Sequence, residues 1–403
     1  MTGTAAPEKA RPSFGIVELE VKGFRTAREV SFAPGALCAL VGEANAGKSN
    51  LLAAIRAVLD SENAPLTASD VAQDGDKVSI RARLAAGGEV TLDGTPDGST
   101  HAGRELAPPI LFLSAEARAG AVFAPSSGYA EGPAAERLRR ALARPRPSPA
   151  AQALSVLDVL ASSGLTTHGG FLLLIEEPEL YLRPQAQRYR YRVLRDLAVA
   201  GNQVIYSTHS PAFLNVARMD ELVFVERLPS GGTRALQPEP VSADEDFRVM
   251  TEFDAARSEL FLAQAVILVE GLTEKLVLPF VFSALGYDVD HEGISIIECG
   301  GKPNLPLFAR ICQATGVPFL VVHDSDRKES GRPPPAERAL NQLIAETAGD
   351  NRVVVLDPDF EAVAGLVGHR NKPERAWRGF AERPASEMPP ELARVVELVM
   401  SSI

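Results

Sequence analysis

A glycine-rich segment near the start of the chain has the residue types and spacing that phosphate binding needs. Residues 42–49 read GEANAGKS, which fits the pattern G-x-x-x-x-G-K-[ST] between a predicted buried strand and a predicted helix. In this pattern backbone N–H groups surround phosphate oxygens, the lysine reaches the β and γ phosphates, and the serine hydroxyl binds Mg²⁺. The segment therefore predicts a nucleotide site whose contacts come from Gly42, Asn45, Gly47, Lys48, Ser49 and Asn50.

Two acidic residues follow a run of four apolar ones later in the chain. Glu176 and Glu177 come directly after residues 172–175, which predict a buried strand. Ligands of open α/β sheets bind at the carboxyl ends of the strands, so both carboxylates are expected near the nucleotide. One carboxylate should belong to the coordination shell of the magnesium ion, and the other should polarise the attacking water.

Four further carboxylates lie at two predicted strand ends in the second half of the chain. Glu270 ends one strand, with Glu274 one helical turn later, and Asp324 and Asp326 end another. Placing these acids together is costly unless cations neutralise them. Helix capping explains any one of them alone but explains the set poorly, so the pattern favours a metal site.

The predicted elements that position these residues form two successive α/β units. Strands alternate with helices in each, which favours mostly parallel sheets covered on both faces. We expect a disordered tail at 1–13, a first domain at 14–245 with an insert or degenerate helical region at 115–167, and a second domain at 255–403, a doubly wound α/β unit. An acidic loop at 243–254 marks the boundary.

The composition sets limits on location and on partners. The formal net charge of −11 argues against a uniformly positive surface, although basic segments at 137–146 and 369–378 could still follow a nucleic-acid backbone. Such charge runs are more often solvated faces. No apolar run reaches membrane-spanning length and the N-terminus lacks a signal-peptide pattern, so we expect a cytoplasmic protein. The three cysteines predict buried free thiols.

The first unit resembles the ABC-type ATPases of the SMC, RecF and OLD group. The segments carrying the resemblance are EEPELYLRP, VIYSTHSP and the early VKGFR. The resemblance implies that Glu176 is the magnesium-side acid, Glu177 the catalytic base and His209 the γ-phosphate sensor, with Arg25 near the nucleotide. It also implies at least a homodimer, because ABC heads complete their nucleotide sites in pairs.

One departure from that group concerns the signature segment, which each head lends to its partner. No LSGG-type segment precedes Glu176, and the Ser-Gly pairs at 127–128 and 163–164 lack a helix-starting context. We therefore expect ATP binding and leave efficient ATP hydrolysis open.

The second unit resembles the Toprim domains of the OLD (overcoming lysogenization defect) family, whose motifs are a strand-end Glu and a later Asp-x-Asp. The segments ECGGKPNLPLF, LDPDFEAVAG and HRNKPERAW extend the likeness to the OLD branch, so the resemblance runs from Gly15 to Trp377 except for the insert. It implies that Asp359 and Glu361 complete a second metal site and that Lys372 stabilises the transition-state phosphate.

Together these patterns lead us to expect an ATP-binding DNA endonuclease or nickase that uses two Mg²⁺ or Mn²⁺ ions. Glu270, Asp324 and Asp326 would hold one ion, and the other would be held by Glu274, Asp359 and Glu361. Phage defence or DNA repair is the setting that the resemblance suggests, with a separately encoded helicase or defence protein as a candidate partner. The alternative is an ATP-controlled DNA clamp whose Toprim domain does not cleave.

Overall fold

The computed structural model describes residues 14–113, 170–238 and 257–402, except for positions 74, 76, 181, 215, 329–330 and 367–370. The expected tail, the expected insert with its two Ser-Gly pairs, the basic segment at 137–146 and the acidic loop at 243–254 lie outside the described residues. The chain divides into two compact units, Met1–Pro240 and Val241–Ile403.

The first unit contains eleven described strands and two described α-helices. The strands are β1 (Ile16–Phe24), β2 (Ala27–Phe32), β3 (Leu37–Val41), β4 (Val78–Leu84), β5 (Glu89–Thr95), β6 (Gly98–Ala102), β7 (Ile110–Leu113), β8 (Leu172–Glu176), β9 (Gln203–Thr208), β10 (Leu222–Arg227) and β11 (Thr233–Leu236). The helices are α1 (Lys48–Leu59) and α2 (Pro184–Val199).

These strands form two sheets of different kinds. An antiparallel sheet has the order β2-β1-β4-β5-β6, and a second sheet has the order β11-β10-β3-β9-β8-β7. In the second sheet only the described edge pair β10 and β11 is antiparallel. Ser207 on β9 is in register with both Leu40 on β3 and Glu176 on β8. The carboxyl ends of these three strands therefore meet at one edge of the sheet.

Helix α1 lies between the two sheets and joins them into one core. Its buried Leu52 and Ile55 belong to the same apolar cluster as Ile80 of the antiparallel sheet and Leu174 of the mostly parallel sheet. Each such fully buried side chain stabilises the fold by about 1.5–3 kcal/mol. Because Lys48 begins this helix, the packing of α1 also fixes the position of the glycine-rich segment.

The second unit contains four strands and six α-helices among its described residues. The strands are β12 (Ala265–Val269), β13 (Ile294–Glu298), β14 (Phe319–Asp324) and β15 (Val353–Leu356). The helices are α3 (Leu272–Ala284), α4 (Leu305–Thr315), α5 (Pro335–Ala348), α6 (Phe360–Ala364), α7 (Lys372–Phe380) and α8 (Pro390–Met400).

The sheet of the second unit is parallel throughout, in the order β13-β12-β14-β15. One face of it shares a core with α3, α7 and α8, and this core includes Ile267, Val322, Phe282, Phe380 and Val395. Helix α4 packs on β12 and β14 and contacts α5. Val269 is in register with Val322, so the residues after β12 and β14 emerge at the same edge.

The predicted fold class, a mixed-sheet ATPase-like unit followed by a parallel α/β unit, is confirmed. The predicted free thiols are also found, since all three cysteines are buried and unbridged. The sequence analysis did not predict α7 and α8. Among the described helices, none is both long and apolar enough to cross a membrane.

Candidate functional sites

A cavity of about 350 Å³ lies over the glycine-rich segment of the first unit. Its lining comes from five separate parts of the chain, which the fold brings together. The lining residues are Thr26, Ala44, Asn45, Gly47, Lys48, Ser49, Asn50, Glu177, His209 and Arg227. The structure thus gathers the predicted loop, the predicted base and the predicted phosphate sensor around one space, while Gly42 and Glu176 are not among the residues that line it.

Lys48 is the cation at the centre of this cavity. Its side chain is only 5% exposed, and its Nζ donates to the carbonyl oxygens of Gly42 (2.8 Å) and Glu43 (2.7 Å). Burial lowers the pKa of Lys48 to about 8, and the charges of Glu177 and Glu179 act in the opposite direction. These nearby carboxylates do not offset the burial of the ammonium, and its described hydrogen bonds go to carbonyl oxygens, so a phosphate would add a negative charge in direct contact.

Two glycines of the loop are required by close contacts. Gly42 has φ 153°, and a Cβ there would collide with the carbonyl oxygen of Val225. Gly47 has φ 110°, and a Cβ there would collide with Oγ1 of Thr233. Thr233 donates to the carbonyl oxygen of Ala46 (3.0 Å) and is within 2.8 Å of Oγ1 of Thr26. The hydroxyl of Thr233 therefore stabilises the glycine-rich loop by a hydrogen bond to Ala46, a contact that the sequence patterns did not predict.

Glu177 and His209 face each other across the cavity. Oε1 of Glu177 lies 3.6 Å from Nε2 of His209. Burial, followed by the charge of Lys48, lowers the pKa of His209. Glu177 has φ 45°, an uncommon conformation for a residue with a side chain, and its N–H donates to the carbonyl oxygen of Ser207 (2.9 Å). The strained backbone turns this carboxylate toward the space above Lys48.

Glu179 connects the turn after Glu177 to the segment that carries His209. Its Oε1 accepts from the backbone N–H of His209 (2.6 Å) and from Oγ1 of Thr208 (3.0 Å). Burial raises the pKa of Glu179. The sequence analysis did not single out this residue, although it belongs to the EEPEL segment on which the resemblance rests.

Two arginines lie beside the loop. Arg25, which the sequence analysis placed near the nucleotide, pairs with Asp70 (Nε to Oδ1, 2.9 Å) and hydrogen-bonds Asn50 (3.3 Å). Arg25 is not among the residues that line the cavity, whereas Asn50 is. Arg227, which the sequence analysis missed, lines the cavity and donates to the carbonyl oxygen of Asn45 (3.3 Å). It lies at the end of β10, where no local sequence pattern indicates a nucleotide contact.

The second unit brings its acids together where β12 and β14 end. Oε1 of Glu270 accepts from the backbone N–H of Asp324 (2.7 Å), so the two strand ends are joined directly. Oδ1 of Asp324 accepts in turn from the N–H of Phe360 (2.8 Å), which links it to the start of α6. Each carboxylate thus has one oxygen oriented by a backbone N–H group.

Burial and neighbouring negative charges raise the pKa values of these carboxyl groups. Burial and then the charges of Glu270 and Glu274 raise the pKa of Asp324 to about 8. Burial and then the charges of Glu270 and Glu361 raise the pKa of Glu274 to about 7. Burial likewise raises the pKa of Glu270. The four side chains are therefore close enough to repel each other when ionised.

Two lysines lie at opposite sides of this carboxylate group. Lys302 is 5% exposed and pairs with Oδ2 of Asp326 at 2.6 Å. Lys372 has a side chain that is 42% exposed and pairs with Oε1 of Glu361 at 2.7 Å. That hydrogen bond, together with the charges of Asp359 and Asp324, raises the pKa of Lys372.

Two other residues near these carboxylates, Asp359 and His323, make contacts with the protein backbone. Asp359 caps α6, since its Oδ1 accepts from the N–H of Ala362 (2.8 Å). His323 is 1% exposed, its Nδ1 lies 2.8 Å from the carbonyl oxygen of Asp324, and burial lowers its pKa to about 4. His323 therefore contacts the backbone of the strand end.

The donor set at these strand ends suits a hard divalent cation. All of the converging side chains are carboxylates, and oxygen ligands are those that Mg²⁺ and Mn²⁺ prefer. The raised pKa values of these carboxyl groups are the electrostatic cost that a cation would relieve. Within the described part of the chain, no three His, Cys, Asp or Glu side chains are already arranged to hold an ion.

Both units are similar in sequence to known proteins. A model described as overcoming lysogenization defect protein-like, TOPRIM domain, matches residues 261–326, and a model described as AAA ATPase domain matches residues 167–214. An OLD nuclease of Thermus scotoductus is 37% identical over 225 residues, which cover 51% of this chain and 42% of the relative. The Old nuclease of Escherichia phage P2 is 31% identical over 162 residues, which cover 38% and 28%.

The chain thus matches less than half the length of these curated relatives. Among solved structures, the C-terminal region of the Burkholderia pseudomallei OLD protein is 17% identical with a TM-score of 0.30, covering 35% of this chain and 98% of that one. The chain is therefore similar to AAA ATPase domains over residues 167–214, to the Toprim domains of overcoming-lysogenization-defect proteins over residues 261–326, and to part of the OLD nucleases.

Proposed function

We propose that this protein is an ATP-binding, divalent-metal-dependent DNA endonuclease or nickase of the OLD type. The observation that carries the proposal is the group of buried carboxylates at the ends of β12 and β14, in which burial raises the pKa values of Glu270, Glu274 and Asp324, and the charge of Glu270 raises those of the other two further. Such a group is unfavourable without a cation, and a divalent cation beside it would attract a phosphodiester. The relationship to OLD nucleases supports the same activity.

The metal ligands are assigned in two sets. Glu270, Asp324 and Asp326 would hold one Mg²⁺ or Mn²⁺ ion, and Glu274, Asp359 and Glu361 would hold the other. Such ions supply two things to phosphodiester hydrolysis, a deprotonated water and a stabilised leaving oxyanion. The N–H groups of Asp324 and Phe360 hold one oxygen of Glu270 and one of Asp324, which leaves the second oxygen of each available.

Lys372 is the residue that we assign to the reacting phosphate. Its side chain is 42% exposed, and its partner Glu361 is one of the proposed ligands. An exposed lysine on a flexible stem can exchange one oxyanion for another at little cost. When Glu361 binds a cation, the ammonium of Lys372 would be released toward the phosphate, where it stabilises the charge that develops during hydrolysis.

In the first unit, Lys48 would exchange the carbonyl oxygens that it now contacts for the β and γ phosphates of ATP. Ser49 and Glu176 would complete the coordination of a Mg²⁺ ion bound with the nucleotide, Glu177 would orient the attacking water, and His209 would contact the γ phosphate. Binding of ATP rests on the cavity and its lining residues. Hydrolysis requires in addition a partner segment that the sequence analysis did not find.

The wider setting follows from the relationship to OLD nucleases alone. We propose DNA as the substrate, a homodimer or higher homo-oligomer as the assembly, the cytoplasm as the location, and phage defence or DNA repair as the pathway. A separately encoded helicase or defence protein is the candidate partner. The competing function is an ATP-controlled DNA clamp with a Toprim domain that does not cleave, and it is favoured by the two lysine–carboxylate pairs in the site.

The test is a cleavage assay with the purified full chain. Supercoiled and linear DNA are incubated with Mg²⁺, Mn²⁺ or EDTA, each with and without ATP. The proposal predicts nicked or linear products that require a divalent ion. Binding of DNA without cleavage under every ion condition would favour the clamp instead.

A further inference from the structure

Lys302 is the most deeply buried cation in the described part of the second unit, and its side chain contacts the loop after β14, which carries two of the proposed metal ligands. Its Nζ donates to the carbonyl oxygen of Asp324 and to Oδ2 of Asp326, both at 2.6 Å. Its own loop is tied to the other strand end, because the N–H of Gly301 donates to the carbonyl oxygen of Glu270 (2.8 Å). The ammonium group thus links the loop after β13 to the end of β14, and the N–H of Gly301 links the same loop to the end of β12.

The turn that Lys302 holds adopts an unusual conformation. Asp326 has φ 55°, which is uncommon for a residue with a side chain. The N–H groups of Ser325 and Asp326 donate to the carbonyl oxygens of Leu356 (2.7 Å) and Pro358 (2.9 Å). A strained turn persists only where its surroundings fix it. Lys302 supplies the charged contact among these restraints.

The contacts of Lys302 assign it to the ligands and not to a substrate. Its ammonium is already paired with the carboxylate of Asp326 at 2.6 Å and is 5% exposed, whereas Lys48 donates to carbonyl oxygens and Lys372 is 42% exposed. Glu337 adds a second carboxylate 3.7 Å from the Nζ of Lys302. The charge of Lys302 also lowers the pKa of Glu270, although burial dominates and raises it. Lys302 therefore acts on the ligands and not on the substrate.

We propose that Lys302 is a positioning residue, which holds Oδ2 of Asp326 and the carbonyl oxygen of Asp324 so that the remaining carboxylate oxygens face a divalent ion. This inference rests on the proposed metal-dependent function. Hydrogen bonds from residues behind the ligands orient them, and losing such a contact typically weakens metal binding or activity by about 10- to 100-fold. Lys302 thus orients the ligands of the ion, whereas Lys372 contacts the reacting phosphate.

The experiment measures Mn²⁺ affinity of the nucleotide-free full chain by the electron paramagnetic resonance signal of free Mn²⁺. The variants are Lys302→Met, which removes the charge at similar length, and Lys302→Gln, which keeps a donor without charge. Lys328→Met is the matched control, because Lys328 lies two residues beyond Asp326 but is exposed. Melting temperatures are recorded on the same samples.

We expect Lys302→Met to weaken Mn²⁺ binding by roughly 10- to 100-fold at a temperature well below its melting point. Lys302→Gln should be intermediate and Lys328→Met unchanged. Unchanged or tighter Mn²⁺ binding in folded Lys302→Met would overturn the inference while leaving the proposed function intact. If Lys302→Met does not fold, unchanged affinity in Lys302→Gln overturns it equally. Absence of Mn²⁺ binding by the parent protein would overturn both.

Discussion

The two candidate sites occupy equivalent places in their sheets but are built for ligands of opposite charge. In the first unit the strand ends surround Lys48, whose pKa burial lowers to about 8. In the second unit the strand ends gather carboxylates, and burial with like charges raises the pKa of Asp324 to about 8. Each site is destabilised by its own charge, and each would be relieved by the opposite charge, a phosphate in one and a divalent cation in the other.

This contrast explains why the same architecture serves two kinds of chemistry. Parallel strands deliver side chains to one edge, and the residue type placed there decides what binds. In the first unit, the backbone N–H groups of a glycine loop accompany the cation Lys48. In the second unit, backbone N–H groups only orient the carboxylates. The predictions below test whether the two sites are as different, and as independent, as their charges indicate.

The largest effect is expected from Asp324→Asn, which should abolish nicking. Removing a ligand charge misplaces the attacking water and the metal, and a loss of several kcal/mol of transition-state stabilisation corresponds to at least about 1000-fold. The metal-free protein should keep or gain thermal stability, because the amide oxygen can still accept from the N–H of Phe360 and one repulsive charge is gone. Plasmid nicking and thermal melting on one preparation test both.

Asp326→Ala is the companion variant. It should also abolish nicking, but it should lower the melting temperature, because it leaves the buried ammonium of Lys302 without its carboxylate partner. If both variants nick like the parent across Mg²⁺ and Mn²⁺ titrations, the nuclease assignment fails and the clamp takes its place.

The next largest effect concerns the independence of the two sites. Lys48→Ala should weaken nucleotide binding by roughly 100-fold, since contacts to a charged group contribute about 1.5–3 kcal/mol each. Metal-dependent cleavage measured without ATP should persist at least in part, because Asp324 and Glu270 belong to the other unit. Fluorescent-nucleotide titration and plasmid nicking are the two readouts. Complete loss of ATP-free cleavage in a folded Lys48→Ala protein would show that the sites are not separable.

A smaller effect is expected in the pH dependence of stability, and it has opposite signs for the two sites. The folded state raises the pKa of Asp324 to about 8 and of Glu274 to about 7, so it favours their protonated forms. The associated stability is present at low pH and is lost as the pH rises through 7 and 8. The lowered pKa of Lys48 acts the other way, and only between about 8 and its ordinary value of 10.5.

We therefore expect the melting temperature of metal-free protein to fall from pH 5 to pH 8, within the window set by Glu274 and Asp324. The fall should be shallower in Asp324→Asn and in the presence of Mg²⁺. Differential scanning fluorimetry at closely spaced pH values measures it. If the melting temperature depends on pH identically in the parent and in Asp324→Asn, the raised pKa of Asp324 is contradicted.

The smallest effect is expected from Thr233→Val. Valine keeps the shape but removes the hydroxyl that donates to the carbonyl oxygen of Ala46, a loss of about 0.5–1.5 kcal/mol, or roughly 2- to 12-fold in nucleotide affinity. Thr233→Ser, which keeps the hydroxyl, is the control. Equal affinity in all three proteins would show that the hydroxyl does not support the glycine loop.

The residues that sequence patterns predicted share a local cause. Lys48, Glu176 and Asp324 each occupy a fixed offset from a buried strand or from a glycine loop, so spacing alone indicates their surroundings. The alternation of strands with helices likewise predicted the mostly parallel sheet of each unit. These features depend on short stretches of chain and can be read without knowing the partners.

The residues that were missed owe their positions to distant contacts. Thr233 and Arg227 reach the glycine loop only because β10 pairs with β3, some 180 residues earlier in the chain. Lys302 follows β13, so its link to Asp326 depends on the pairing of β12 with both β13 and β14. Sheet order is set by packing between whole elements, which no local pattern contains.

The most direct test of the carboxylate group is calorimetric titration of the nucleotide-free protein with Mn²⁺ at pH 7.5, a value between the pKa values of Glu274 and Asp324. Repeating it in two buffers with different ionisation enthalpies counts the protons released. We expect binding with proton release in the parent, and weaker binding with less release in Asp324→Asn. Mn²⁺ binding without proton release, or no binding, would contradict a cation site built from mutually repelling carboxyl groups.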